Sequence, residues 1–309
     1  MQDEDHSGTI SWFALLAEAV DALQANGIVD AEIDARRIAE EASGIEAAMF
    51  LFEARQPATK LGVARFERML ARRCTGEPLQ YVLGHWGFRQ LDLFLDRRVL
   101  IPRPETEQVV EVALAEIDRV RKDLPGLPLI ADLGTGSGAI ALSVASERTG
   151  VEVWATDQSL VALAVARANL VGIGRAATRV RIAHGWWFDA LPHERRGEFS
   201  VLIANPPYVA ETDELPRVVA LWEPVEALVP GPTGYEALDH LVVAGYEWLA
   251  PGGAIVLELA PSQAAGIADL ARNRGYSDVE IHEDLAGRER TLLARKPLES
   301  GATTPTGTY

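Results

Sequence analysis

One cysteine, Cys74, is all that the 309-residue sequence contains. An internal disulfide is therefore excluded, and a structural zinc site has no companions to draw on. Its place at a predicted helix end beside Arg72 and Arg73 reads as a passive side chain rather than a catalytic thiol. No apolar run approaches the ~20 residues that a membrane-spanning helix needs. The opening Met1-Gln2-Asp3-Glu4-Asp5 is acidic where a secretory leader would be basic. Basic residues are also in deficit, 29 Lys and Arg against 45 Asp and Glu, a formal charge of −16. Affinity for nucleic acid rests largely on neutralising phosphates, so this balance argues against direct nucleic-acid binding. It favours a protein or small-molecule substrate, above all a partner with a basic face. A cytoplasmic protein with no bound metal and no membrane association is expected.

What is present is ample apolar material, 48% of the chain. That length predicts one catalytic domain with a smaller appendage. From Ser11 to about Thr75 the pattern is helical, with Trp12, Leu16, Val20 and Leu23 on one stripe and Phe66, Met69 and Leu70 on another. Gly27, Gly44, Pro57 and Gly62 cut it into short helices. Residues 1–75 are accordingly read as a small helical bundle. Residues 76–103, with the alternation of Leu91-Asp92-Leu93-Phe94-Leu95, suit a β-hairpin linker. Pro104 suits the first turn of a helix carrying Val109, Val112, Ala113 and Ile117, where the catalytic domain, residues 104–297, begins. The tail 298–309, rich in Thr, Ser, Gly and Pro, is expected to be disordered.

Within 104–297 strand and helix signals alternate. Strands are predicted at 129–133, 151–156, 180–183, 199–204 and 254–259, with helices at 139–146, 159–170, 235–249 and 263–273. Such alternation predicts a parallel sheet covered by helices. A turn is expected at Pro251-Gly252-Gly253, and 279–282 with 291–294 form a hairpin that closes the sheet with an antiparallel pair.

Two segments carry chemistry. Asp132-Leu133-Gly134-Thr135-Gly136-Ser137-Gly138 sits where a strand passes into a helix, the edge at which open parallel sheets bind ligands. Glycine lets the backbone approach a ligand closely and bares its amide. Asp157, at the end of the next strand, can accept both hydroxyl hydrogens of a ribose. A bare glycine turn and a nicotinamide dehydrogenase are the competing interpretations. The dehydrogenase fingerprint places its third glycine three positions after the second, whereas Gly136 and Gly138 are two apart.

Asn205-Pro206-Pro207-Tyr208 follows the strand Val201-Leu202-Ile203-Ala204 and should lie on the same edge. Two prolines fix the backbone and remove two donors, leaving carbonyl groups to accept. An amide nitrogen is a poor nucleophile because its lone pair is delocalised. If Asn205 Oδ1 and the Pro206 carbonyl each accept one N–H, the lone pair is turned out of conjugation. Tyr208 can pack on the flat amide. Exocyclic base amines are planar NH2 groups too, so the loop alone leaves a nucleic-acid substrate open.

With Gly76-Glu77-Pro78-Leu79-Gln80-Tyr81 and Leu100-Ile101-Pro102-Arg103-Pro104-Glu105-Thr106-Glu107, these residues resemble the release-factor glutamine methyltransferases over about residues 76–296. The resemblance implies an α/β, Rossmann-like seven-stranded sheet with an antiparallel last strand. It implies S-adenosylmethionine as cofactor, S-adenosylhomocysteine as product, and N5-methylation of the glutamine in the Gly-Gly-Gln motif of class I peptide-chain release factors. The helical domain would then help grip that partner. Gly134, Thr135, Gly136, Ser137, Gly138, Asp157, Trp187 and Asn205 are implied to hold the cofactor, and Asn205, Pro206, Pro207 and Tyr208 the substrate amide, with Asn205, Pro206 and Tyr208 catalytic. Trp186 stands where the family commonly has an acid suited to the adenine amino group, with Asp189 as the nearby substitute. Arg103 and Glu107 are a candidate ion pair, and Trp222-Glu223-Pro224, Glu258, Gln263, Asp284 and Arg290 match family positions. A ribosomal-protein glutamine, a nucleic-acid amino group and a non-enzymatic role remain as alternatives.

Overall fold

Ser11 and Thr59 start two helices by accepting backbone N–H groups on their hydroxyls, from Ala14 at 3.3 Å and Gly62 at 3.1 Å. The computed structural model describes residues 10–123 and 126–298, and the expected tail from 299 onward lies outside them. The chain divides into two compact units, one up to Trp86 together with Pro216–Trp222, the other Gly87–Leu215 with the residues from Glu223 onward.

The first unit contains α1 (Trp12–Ala25), α2 (Ala31–Ser43), α3 (Ala47–Glu53), α4 (Lys60–Cys74) and α5 (Leu79–Leu83). Its core is Trp12, Leu15, Ala19, Leu23, Ile38, Phe50, Phe66 and Met69, among others. The buried stripe of α1 thus runs through Leu15 and Ala19 rather than Leu16 and Val20, which are only partly buried. Trp12 packs closely against α4, where a Cβ on Gly62 would come within 2.8 Å of its ring. α5 occupies part of a segment expected to be extended, ended by Gly84 in the left-handed region at φ 83°. Arg72 pairs with both Glu77 oxygens and Arg73 with Asp34, so both arginines are structural. Burial raises the Cys74 thiol against the opposing pull of Arg73, which leaves it unactivated.

The hairpin strands are β1 (His85–Phe88) and β2 (Leu91–Phe94). The second unit continues with α6 (Thr106–Asp123), β3 (Leu129–Leu133), α7 (Ala139–Glu147), β4 (Glu152–Asp157), α8 (Leu160–Gly172), β5 (Val180–His184) and β6 (Phe199–Ala204). After the short α9 (Arg217–Trp222) come α10 (Glu236–Trp248), β7 (Leu249–Glu258), α11 (Ala264–Arg274), β8 (Ser277–Glu283) and β9 (Glu289–Arg295). Seven strands form one sheet in the order β5-β4-β3-β6-β7-β9-β8. β5 through β7 are parallel, and β9 runs antiparallel to both of its neighbours. This is the α/β sheet with an antiparallel last strand expected from the pattern.

Every residue of β3 and of β6 is buried. Successive side chains on a strand face opposite ways, so both faces of the sheet are covered at its centre, which accounts for the unbroken apolar runs. Pro251-Gly252-Gly253 lies inside β7 instead of separating it from α10. A Cβ on Gly253 would sit 2.9 Å from the carbonyl oxygens of Phe199 and Ser200, so glycine is what lets β7 pair with β6 there. Among the described residues no helix is long and apolar enough to cross a membrane.

Candidate active site

Strand register assembles the site. β3 pairs Leu133 with Thr156 of β4, and Asp132 with Ile203 of β6, while β6 pairs Ala204 with Leu257 of β7. Carrying each register past the strand ends sets Asp157, Gly134, Asn205 and Glu258 in one row along the carboxyl edge. Neighbours in such a row are about 4.8 Å apart. The order also reverses between β3 and β6, which is the switch point where open sheets bind ligands.

Gly134, Gly136 and Gly138 all adopt positive φ, at 79°, 55° and 88°, which explains their identity. The amides of Gly134 and Thr135 donate to the Thr156 carbonyl at 2.9 and 2.8 Å, folding the loop back over β4. Gly136 N–H donates to one oxygen of Asp157 at 2.9 Å and Ser159 N–H to the other at 2.8 Å. Each carboxylate oxygen keeps further acceptor capacity. Burial raises the Asp157 carboxyl above the usual range, and these backbone donors pull it back. Beneath the loop, fully buried Asp132 accepts from the Thr135 hydroxyl at 2.5 Å and from Ala141 N–H at 3.0 Å. Its other oxygen has no partner among the described residues, and burial pushes its carboxyl up to about 7. The Ser137 carbonyl accepts from Asn169 at 2.9 Å, and Asn169 also clasps Phe94 of β2.

Trp187 reaches this loop: a Cβ on Gly134 would be 3.2 Å from its ring. Its backbone sits at φ 42°, a conformation that costs a non-glycine residue on the order of 1–2 kcal/mol and that aims the ring. Trp186 turns instead onto His240, ring centroids 4.4 Å apart, and is 48% exposed. Burial lowers the His240 pKa while the charge of Asp189 acts the other way. No carboxylate stands at position 186, and Asp189, three residues on, is exposed.

On the far side of the row, Asn205 Nδ2 donates to Thr106 Oγ1 at 3.2 Å. Thr106 Oγ1 donates to Glu258 Oε2 at 2.6 Å, and the Tyr208 hydroxyl to Glu258 Oε1 at 3.2 Å. Glu258 has no exposed surface. Desolvation pushes its carboxyl up to about 7. The same burial raises the Tyr208 phenol far above its ordinary value, so it remains a donor. Among the described residues neither Asn205 Oδ1 nor the Pro206 carbonyl accepts a hydrogen bond. Gln263 donates to the carbonyls of Tyr208 and Gly234, each at 3.0 Å, pinning the loop from behind. Gly234 is obligatory at this crossing, since a Cβ would lie 2.7 Å from the Tyr208 oxygen.

The expected cofactor and amide residues thus lie along one edge, where the strand register sets Gly134 beside Asn205. Arg103 and Glu107 do not pair. Arg103 bonds to the buried carboxylate of Glu223 at 2.5 Å, and Glu107 accepts from the backbone N–H of Arg89 at 3.0 Å. Glu223 also accepts from Ile101 N–H at 3.0 Å, so it organises the segment leading to Thr106. In the sequence Thr106, Glu258 and Gln263 stood only as matches to family positions, as readily architectural as functional. The signal was there in Glu258, a carboxylate closing an otherwise apolar strand.

Residues 14–84 match the family described as PrmC N-terminal domain, and residues 122–223 the methyltransferase small domain. A release factor glutamine methyltransferase of Burkholderia pseudomallei is 39% identical over 285 residues, covering 91% of this chain and 97% of its own. One from Cereibacter sphaeroides is 37% identical over 287 residues, covering 91% and 97%. Among solved structures, the hMettl16 catalytic domain in complex with a MAT2A 3′UTR hairpin superposes with a TM-score of 0.52 at 15% identity, over 77% of this chain and 84% of that one, a likeness of fold. With relatives at this identity along nearly its whole length, the chain belongs to the release factor glutamine methyltransferase family and is a methyl-transferring enzyme.

Proposed function

We propose that this enzyme methylates the side-chain amide nitrogen, N5, of the glutamine in the Gly-Gly-Gln motif of class I peptide-chain release factors, using S-adenosylmethionine. One observation carries the assignment of the acceptor. Among the described residues Asn205 Oδ1 and the Pro206 carbonyl are two neighbouring acceptors without partners, beside the end of the strand that bears the glycine loop. Two acceptors suit the two N–H groups of a single planar NH2.

The residues of the edge fit the cofactor. A Cβ on Gly136 would meet nothing within 4 Å, so its backbone is open to a ligand. Asp157 is an acceptor-only group suited to a ribose diol, and Trp187 supplies an apolar wall against Gly134. Gly134 to Gly138, Asp157, Trp187 and Asn205 would hold S-adenosylmethionine, which when bound supplies an electrophilic methyl group on a sulfonium. The chain's own part is positional. Asn205 and Pro206 draw the target NH2 out of conjugation with its carbonyl, Pro207 stiffens the loop, and Tyr208 covers the amide and sheds water.

The first unit would take up the body of the protein substrate. α3 leaves Met49, Leu51 and Phe52 exposed, Phe52 at 80%, which is apolar surface suited to a protein partner. The test is to incubate the enzyme with methyl-labelled S-adenosylmethionine and, side by side, a class I release factor, ribosomal protein and DNA. Label on the Gly-Gly-Gln glutamine, located by peptide mass spectrometry, is expected. Label on another substrate with none on the release factor would overturn the assignment.

A further inference from the structure

We propose that Thr106 and Glu258 are positioning residues that decide which end of the Asn205 amide faces the target nitrogen, and so whether the clamp can accept an NH2 group. The inference rests on the assignment of Asn205 as the amide clamp. Its ground is the direction of each hydrogen bond in the chain from Asn205 through Thr106 to Glu258.

A carboxylate has no hydrogen to give. When Glu258 is ionised, the hydroxyls of Thr106, at 2.6 Å, and Tyr208, at 3.2 Å, must both donate to it. Thr106 Oγ1 is then left with only lone pairs toward Asn205. Nδ2 is the end of the amide that can use them, at 3.2 Å, and Oδ1 is thereby held pointing away, free to accept. If Glu258 carries a proton, it can donate to Thr106 instead. The threonine hydrogen is released toward Asn205, and the amide turns over to receive it on Oδ1. Nδ2 would then confront the target NH2, donor against donor, and the clamp would repel the group it should hold.

The surroundings place this switch near neutrality. Desolvation and the charge of Glu105 raise the Glu258 carboxyl, while Arg290 and the two hydroxyls lower it, leaving it at about 7. Catalysis should therefore strengthen as pH rises through that region, because only the ionised carboxylate fixes the productive amide. Thr106 and Glu258 need not touch either substrate; they act through Asn205 and Tyr208.

The experiment is single-turnover methylation of the release factor, both substrates saturating, between about pH 6 and about pH 8.5. It compares wild type, Thr106→Ser, Thr106→Val, Glu258→Gln and Asn205→Ala, with cofactor affinity measured for each. Thr106→Val keeps the shape of the side chain and loses the hydroxyl. We expect it to be slowed about tenfold or more, the worth of one oriented hydrogen bond, with cofactor affinity intact. Thr106→Ser restores the hydroxyl and should recover most of the rate. In Glu258→Gln, whose amide can donate or accept, the rate should fall and its rise near neutral pH should vanish. If Glu258→Gln does not fold, the two threonine variants and the wild-type pH profile decide alone. Equal rates for Thr106→Val and Thr106→Ser, or a wild-type rate flat across this range, would overturn the relay. If Asn205→Ala is itself as fast as wild type, the clamp falls and takes the relay with it; if it is crippled while the threonine pair is equal, the relay alone is wrong.

Discussion

Asp157→Ala should damage the enzyme in two separable ways. The carboxylate holds the glycine loop and the start of α8 at once, through Gly136 N–H at 2.9 Å and Ser159 N–H at 2.8 Å. It is also the proposed acceptor for the ribose. Hydrogen bonds to a charged group contribute ~1.5–3 kcal/mol each, and the lower figure alone corresponds to roughly tenfold in affinity. Two ribose bonds lost, with water replacing part of each, should weaken S-adenosylmethionine and S-adenosylhomocysteine by at least that factor. The two backbone donors left without their acceptor should lower the melting temperature of the cofactor-free protein as well. Isothermal calorimetry with S-adenosylhomocysteine reads the first effect and a thermal melt the second. Since burial raises the Asp157 carboxyl, wild-type affinity should also begin to fade at a higher pH than an ordinary aspartate would allow when the solution is acidified. A variant that melts cooperatively and binds within about twofold of wild type would remove Asp157 from the site.

Asp132 makes a prediction about stability. Its folded carboxyl titrates at about 7 against 3.8 for an ordinary aspartate, so between those values the folded chain holds a proton that the unfolded chain has lost. Stability should fall as pH rises through that window, by at most a few kcal/mol at ~1.4 kcal/mol per pH unit, and Asp132→Asn should flatten the decline in melts across it. Phe52→Ser, at a side chain 80% exposed, should leave stability within ~0.5 kcal/mol of wild type, yet raise KM for an intact release factor without changing cofactor affinity. An unchanged KM would take Phe52 out of the partner surface.

Much of the sheet was legible because β3 and β6 are buried on both faces and so must be apolar throughout. The glycine loop was legible for a local reason too: positive φ at Gly134, Gly136 and Gly138 can be met cheaply only by glycine. Pro251-Gly252-Gly253 misled, since the same residues that signal a turn also allow the close approach of Gly253 to the carbonyls of β6. α5 was missed because five residues carry too little periodicity to be seen. The interior of the site was hidden for another reason. Thr106 and Glu258 are 152 positions apart, and Arg103 and Glu223 are 120 apart. Pairings of that span are created by the fold of the sheet and leave no trace in local spacing. Arg103 therefore looked like a partner for Glu107, its neighbour in the chain, when its charge is matched by a distant buried carboxylate.

The central claim, that Asn205 holds the methyl acceptor, is tested most directly by the single-turnover rate of Asn205→Ala on a release factor with both substrates saturating. A contact made chiefly in the transition state costs turnover rather than binding. We predict a loss of ~100-fold or more in rate, as for other positioned transition-state contacts, well beyond whatever cofactor affinity is lost with the same side chain. Methylation of the Gly-Gly-Gln glutamine within a few-fold of the wild-type rate would contradict the account and send the search for the amide-binding group elsewhere on the carboxyl edge of the sheet.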